Sequence, residues 1–146
     1  MTHAEMKRCW EEARASGDYH ALMRAIPYAR TIGMVMSETD GELRFTLPFR
    51  QSNIGNVLLP ALHGGVIGGF LENVAIFTLL ASTETRSVPK VVDFSIDYLR
   101  SGRALDLYGR CDIVRQGKRV ANVQLVAWQD DAAKPVASAR AHFLLG

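Results

Sequence analysis

LLPALHGGVIGGFLENVAIFTLLA, residues 58–81, places four glycines, one histidine and one carboxylate inside the longest apolar run of the chain. A helix from about 64 to 81 presents apolar side chains nearly all round, through Val66, Ile67, Phe70, Leu71, Val74, Ile76, Phe77, Leu79 and Leu80. That is the signature of a helix buried in a core. Glu72 stands in its middle. An ionised carboxylate taken out of water is costly unless it is paired, hydrogen-bonded or shifted in pKa, so a charge in such a run marks a candidate site.

Before this stretch, residues 4–15 are strong helix formers with Thr2 as N-cap and Ser16-Gly17-Asp18 as a stop. Asp18 caps a second short helix through 25, and Pro27 closes it and begins an extended segment. From Thr31 the pattern has period two: Ile32, Met34 and Met36, then Asp40-Gly41, then Leu43, Phe45 and Leu47 on one face, which is a hairpin signal. Residues 49–57 lack periodicity and read as a loop. After the helix, 82–89 is a polar connection. Val92, Phe94, Ile96 and Tyr98 then alternate with polar neighbours, with a turn at Ser101-Gly102-Arg103. Leu105, Leu107, Cys111 and Ile113 continue the pattern to Gln116-Gly117-Lys118, followed by strands bearing Ala121, Val123, Leu125 and Ala127, then Ala137, Ala139, Ala141 and Phe143. The order is a hairpin, a buried helix and a four-strand meander whose small residues accept the helix. The fold class is α+β, a long central helix cradled by a curved antiparallel sheet of about six strands, with a helical lead-in. One domain spans 1–146. The strand over 89–100 is suited to pair with a copy of itself across a two-fold axis.

Composition narrows the function. A formal net charge of +2 with no block of Lys or Arg gives no support for nucleic-acid binding. Two cysteines, Cys9 and Cys111, have no metal or disulfide-scaffold spacing and read as ordinary thiols, so no metal is expected. The N-terminus lacks the apolar core of a secretory signal, and a cytoplasmic setting follows by default. The run 66–81 is short for a membrane span and carries Glu72 and Asn73 at its centre, so no membrane partner is expected.

On a helix, Glu72 shares its face with Gly68 and Gly69, and one turn further back with Gly65. Glycine inside a helix costs about 1 kcal/mol relative to alanine, so either another backbone or a ligand packs there. Gly64 and Gly65 sit where the first backbone N–H groups have no helical partner and the macrodipole is positive. Donors fixed where a carbonyl oxygen becomes negative form an oxyanion hole. Glu72 is the only carboxylate of the helix able to act as general base or nucleophile, and burial should raise its pKa.

The frame HGGVIGGFLEN, His63 to Asn73, resembles the hotdog-fold acyl-CoA thioesterases of the PaaI-like and hydroxybenzoyl-CoA thioesterase group. The likeness extends over nearly the whole chain, including VVDFSIDYLRSG. It implies that Gly64 N–H polarises the thioester carbonyl, that Glu72 is supplied by the neighbouring subunit, and that dimers pair into a homotetramer. His63 then shapes the turn by hydrogen bonding. Family members often carry Asn or Gln six residues before the histidine; here that position is Val57, and Asn56 beside it is the candidate for the role. The Ser or Thr that some relatives use at the start of the following strand is Val91 here.

A thiolate leaves readily because a thiol pKa is about 8.5, so no strong general acid is required. No GxSxG elbow, HExxH or P-loop is present. The substrate implied is an acyl-CoA thioester, with coenzyme A as part of the substrate and no separate cofactor. Its phosphates need cations, for which Arg100 and Arg103 at one turn and Lys118 and Arg119 at the next are candidates. The acyl pocket candidates are Leu58, Leu59, Leu62, Gly68, Gly69, Phe70, Val74 and Phe77. His3, His20 and His142 lack partners at ligand spacing, and Trp10 and Trp128 read as packing or interface residues. Two other readings stand beside hydrolysis: a hotdog acyl-thioester dehydratase or hydratase, and a non-catalytic acyl-CoA binding module.

Overall fold

The computed structural model describes residues 2–23, 26–82 and 87–146. Helix α1, His3–Ser16, opens on a capping box: Glu5 N–H donates to Thr2 Oγ1 at 3.2 Å and Thr2 N–H to the Glu5 carboxylate at 2.6 Å. Gly17, at φ 76°, ends it in the left-handed region that a glycine enters freely. Asp18 Oδ1 accepts from His20 N–H at 2.9 Å to start α2, His20–Met23; the expected continuation to 25 falls on residues outside those described.

The lead-in does not end at Pro27. A third helix, α3, runs Pro27–Ile32, because proline at the first helical position forfeits only an N–H that has no helical partner there. Ile32 is therefore a buried helix residue and not the start of a strand, and Gly33 at φ 81° terminates the helix. Strand β1 begins at Val35 and runs to Thr39; β2 is Glu42–Leu47. They are joined through Asp40-Gly41 at φ 53° and 76°, the positive pair that a two-residue hairpin requires.

The segment expected to be loop carries a 3-10 turn, Gln51–Asn53, and a small hairpin of β3, Ile54–Asn56, with β4, Ala61–Leu62. Helix α4 follows as Gly64–Ser82, bounded almost as the sequence predicts. By length and composition it is apolar enough to cross a bilayer, yet Ile67, Phe70, Leu71, Val74, Phe77 and Leu79 are buried in the core of this fold. Trp10 of α1 docks near its C-terminal end, its Nε1–H donating to Leu80 O at 3.1 Å.

The remaining strands are β5, Lys90–Tyr98; β6, Leu107–Gln116; β7, Val120–Trp128; and β8, Ala137–Leu144. The six-stranded antiparallel sheet has the order β1-β2-β6-β7-β8-β5. This is the hotdog arrangement, but not a four-strand meander. Only β6 to β8 meander, because β2 and β7 already occupy both sides of β6 and leave β5 the free edge of β8. The Ser101-Gly102-Arg103 segment is accordingly part of a crossover, and Leu105 lies exposed in it rather than in a strand. The alternation along β5 also breaks: a register shift between Val91 and Asp93 leaves Val92 62% exposed.

The inner sheet face fits the helix through small residues. Ala121, Ala127, Ala137 and Ala141 are fully buried, and Gly109 lies so close to α4 that a Cβ there would sit 2.8 Å from the Phe70 ring. Phe45 and Leu47 of β2 and Val123, Leu125 and Phe143 complete the layer.

Candidate active site

The four backbone N–H groups of the first turn of α4 are allocated one by one. His63 O accepts from Val66 N–H at 3.0 Å and from Ile67 N–H at 3.2 Å. His63 Nδ1 accepts from Gly65 N–H at 2.9 Å, so the ring caps the helix. Gly64 N–H alone has no acceptor among the described residues. Its direction follows from peptide geometry: the His63–Gly64 unit is planar and trans, and with its carbonyl bonded into the helix its N–H points out of the N-terminal end. The expected pair of oxyanion donors is therefore reduced to one, since Gly65 N–H is occupied by the histidine. An Nδ1 that accepts carries no proton, so the cap is a neutral imidazole at that nitrogen.

The turn is held from behind. His63 N–H donates to Asn53 O at 2.9 Å, and Asn53, itself buried, donates through Nδ2 to Ile32 O at 2.8 Å, tying the HGG turn to α3. Sequence reading misses Asn53, although an asparagine ten residues before the histidine in an unpatterned segment is the signal such a bracket leaves. Asn56 has a local task as well: its Oδ1 accepts from Leu58 N–H at 3.0 Å and Leu59 N–H at 3.2 Å, shaping the β3–β4 turn. That turn exposes Val57, Leu58 and Leu59, with Leu58 95% exposed.

The glycine face of α4 is filled by two tyrosines. A Cβ at Gly64 would lie 3.4 Å and one at Gly68 3.6 Å from Tyr98 Oη, while a Cβ at Gly69 would lie 2.4 Å from Tyr28 Cε1. The Tyr28 ring of α3 accounts for Gly69, whereas at Gly68 a Cβ would make only ordinary contact with Tyr98 and Ile96. Both rings remain about half exposed, Tyr28 at 44% and Tyr98 at 51%. Tyr98 Oη also donates to Gly64 O at 2.6 Å.

Glu72 emerges beside this face, half-buried and without a hydrogen-bond or ion-pair partner among the described residues, and burial raises its pKa above the ordinary carboxylate value. The next residue, Asn73, donates to Gly69 O at 2.7 Å, and its Oδ1 is a buried side-chain atom without a partner. The Cys111 thiol is pushed up to about 12 by burial and then by Asp112, against a Thr78 hydrogen bond. A thiol so held offers little thiolate to react.

The other candidates separate by position. Leu62, Phe70, Val74 and Phe77 face the core rather than an open pocket, because they are the residues that seat α4 on the sheet and Leu62 on Gly102. Arg103 lies near the helix start through the Ala61–Arg103 bridge, its guanidinium paired with Asp130. Arg100 Nη1 donates to Pro135 O at 2.6 Å. Lys118 and Arg119 are not brought there: Val120 pairs with Leu144, the end of β8 opposite to the Ala137–Tyr98 pair. His142, a strand residue, bonds through Nδ1 to Asp93 at 2.9 Å across β8 and β5. Among the described residues no three His, Cys, Asp or Glu side chains cluster as a metal site would require.

The family model of the thioesterase superfamily matches residues 59–136. The medium/long-chain acyl-CoA thioesterase YigI of Escherichia coli K12 is 29% identical over 136 residues, covering 83% of this chain and 86% of that one. A solved protein of Chromobacterium violaceum is 49% identical with a TM-score of 0.76, covering 96% of this chain and 97% of that one. A phenylacetic acid degradation-related protein of Ralstonia eutropha JMP134 is 26% identical with a TM-score of 0.70, covering 82% and 89%.

Proposed function

The chain belongs to the thioesterase superfamily, and from that premise we propose that it hydrolyses acyl-CoA thioesters, medium and long chains first among them. The observation that carries the reading is the donor at Gly64, the one N–H of that first turn without an acceptor among the described residues, aimed out of the start of a helix that also carries Glu72. The thioester carbonyl oxygen accepts from Gly64 N–H, where the positive end of the macrodipole favours the charge that develops as the carbon becomes tetrahedral. Glu72, as carboxylate, takes a proton from water as that water attacks. The tetrahedral intermediate collapses with loss of the CoA thiolate, leaving the free acid. A half-buried carboxyl with a raised pKa is a better base near neutrality than one in water.

The catalytic unit in this proposal is a homodimer in which Glu72 of one copy serves Gly64 of the other. Its support is the free edge of β5, which carries Val91, Val92 and Tyr98 at 40–62% exposure. An edge with unpaired backbone groups and apolar side chains is suited to pairing with its own copy. Arg103, near the helix start, and Arg100, on the same crossover, are the cations assigned to the CoA phosphates.

The test is thiol release from short, medium, aromatic and long acyl-CoAs by wild type and Glu72→Ala. The expected outcome is release by wild type and a loss of about 10²–10⁴ in kcat for the variant. Equal release by both proteins refutes the role of Glu72. Binding of intact acyl-CoA with no release by wild type replaces the enzyme with a binding module.

A further inference from the structure

We infer that Tyr98 is a positioning residue for the Gly64 donor, clamping, together with His63, the single peptide group between Gly64 and Gly65. The carbonyl of that peptide accepts from Tyr98 Oη at 2.6 Å, and its N–H donates to His63 Nδ1 at 2.9 Å. The two anchors reach it from different parts of the chain. His63 immediately precedes the helix, whereas Tyr98 closes β5, 34 residues beyond Gly64.

Two adjacent glycines have more backbone freedom than any other pair, and freedom at this point moves the donor. The His63–Gly64 peptide is already fixed through its carbonyl, which two helix N–H groups grip. The next peptide has no side chains of its own to restrain it. Bonds at both its carbonyl and its N–H fix ψ of Gly64 and φ of Gly65, so the two peptides that flank the Gly64 α-carbon are both held. The Tyr98 ring adds contact over Gly64 and Gly68. Tyr98 thus touches no reacting atom in this scheme; it acts through Gly64. The inference rests on the oxyanion role proposed for Gly64, and it adds a residue from the β5 edge to the machinery.

Tyr98→Phe removes the hydroxyl and keeps the ring packed on the glycines, which separates the clamp from the packing. Loss of alignment at a donor lowers turnover rather than binding, so kcat is expected to fall about tenfold with KM within about twofold. An S-alkyl-CoA thioether, which has no carbonyl to place, is expected to bind both proteins equally. Hydrogen exchange at Gly65 N–H, read by NMR without any substrate, is expected to accelerate. Combined with His63→Ala, the variant is expected to lose less than the product of the two single effects, because both residues hold one peptide. Wild-type kcat in Tyr98→Phe, or thioether binding weakened as much as kcat, overturns the proposal. Should wild type hydrolyse no acyl-CoA, the function proposed above falls by itself, and the clamp is judged on exchange alone: acceleration upholds it and unchanged exchange overturns it.

Discussion

Gly68 and Gly69 are neighbours on one helix, and the structure gives their replacement by alanine opposite signs. Either change gains about 1 kcal/mol of helix propensity. At Gly68 the new Cβ meets Tyr98 Oη at 3.6 Å and Ile96 Cδ1 at 4.0 Å, ordinary contact distances, so the gain survives. For a domain of this size that is a rise in Tm of about 3 °C. At Gly69 the Cβ lands 2.4 Å from Tyr28 Cε1, 3.1 Å from Cζ and 3.0 Å from Oη. Carbon atoms prefer about 3.5–4.0 Å, so the ring must retreat by about 1 Å. It is attached to a six-residue helix that is itself bracketed by Asn53. Overpacking of this kind costs about 1–3 kcal/mol, which offsets or exceeds the propensity gain. Thermal and urea unfolding at one fixed protein concentration should therefore place Gly68→Ala above wild type and Gly69→Ala at or below it. Adding Tyr28→Ala should convert Gly69→Ala into a stabilising change, since the two effects share one contact. A Gly69→Ala protein as stable as Gly68→Ala in the wild-type background refutes the assignment of that glycine to the tyrosine ring.

Glu72→Gln keeps the shape of the side chain and removes its charge. Burial holds the folded-state pKa above the ordinary 4.5, so the carboxyl's contribution to stability is present below that value and is lost as pH rises through the folded pKa. Wild type and variant should melt alike in acid and the variant should melt higher at pH 8; the reverse order at pH 8 would mean that a cation pairs with Glu72 in the assembled protein. Gly109→Ala drives a Cβ to 2.8 Å from Phe70 Cε2 and 3.1 Å from Val74 Cγ2, both on side chains with no exposed surface. A loss of about 1–3 kcal/mol in urea unfolding is expected, and an unchanged midpoint would show slack in the core that the packing denies.

What could be read from the chain tracks where local rules decide. The bounds of α4, the Asp40-Gly41 hairpin and the alanine face of β8 follow from periodicity and turn chemistry, which act within a few residues. Pro27 is ambiguous in sequence because a proline both ends one helix and opens another, and only packing against α4 decides between them. The placement of β5 beside β8 depends on β2 having claimed β6, a competition between strands far apart in sequence. At the site, HGG and Glu72 carry local signals, whereas the tyrosines do not. Tyr98 reads as one more alternating strand residue until the sheet order carries it to the helix start.

The histidine before the two glycines has a physical logic that a generic cap would not meet. Asp, Asn, Ser or Thr would satisfy a first-turn N–H at lower cost in bulk, and they are the preferred caps. An aspartate there would also set a full negative charge within a few ångströms of the outward Gly64 N–H, against any oxyanion that forms on it. The neutral imidazole accepts the Gly65 N–H through Nδ1 and introduces no charge. With His63 O taking Val66 and Ile67 N–H, the residue satisfies three of the four first-turn donors by itself. The fourth is left directed outward, with no side chain of the helix start to claim it. The glycines at 64 and 65 then serve two ends: they let the histidine ring and the Tyr98 hydroxyl close on one peptide, and they leave no side chain over the donor.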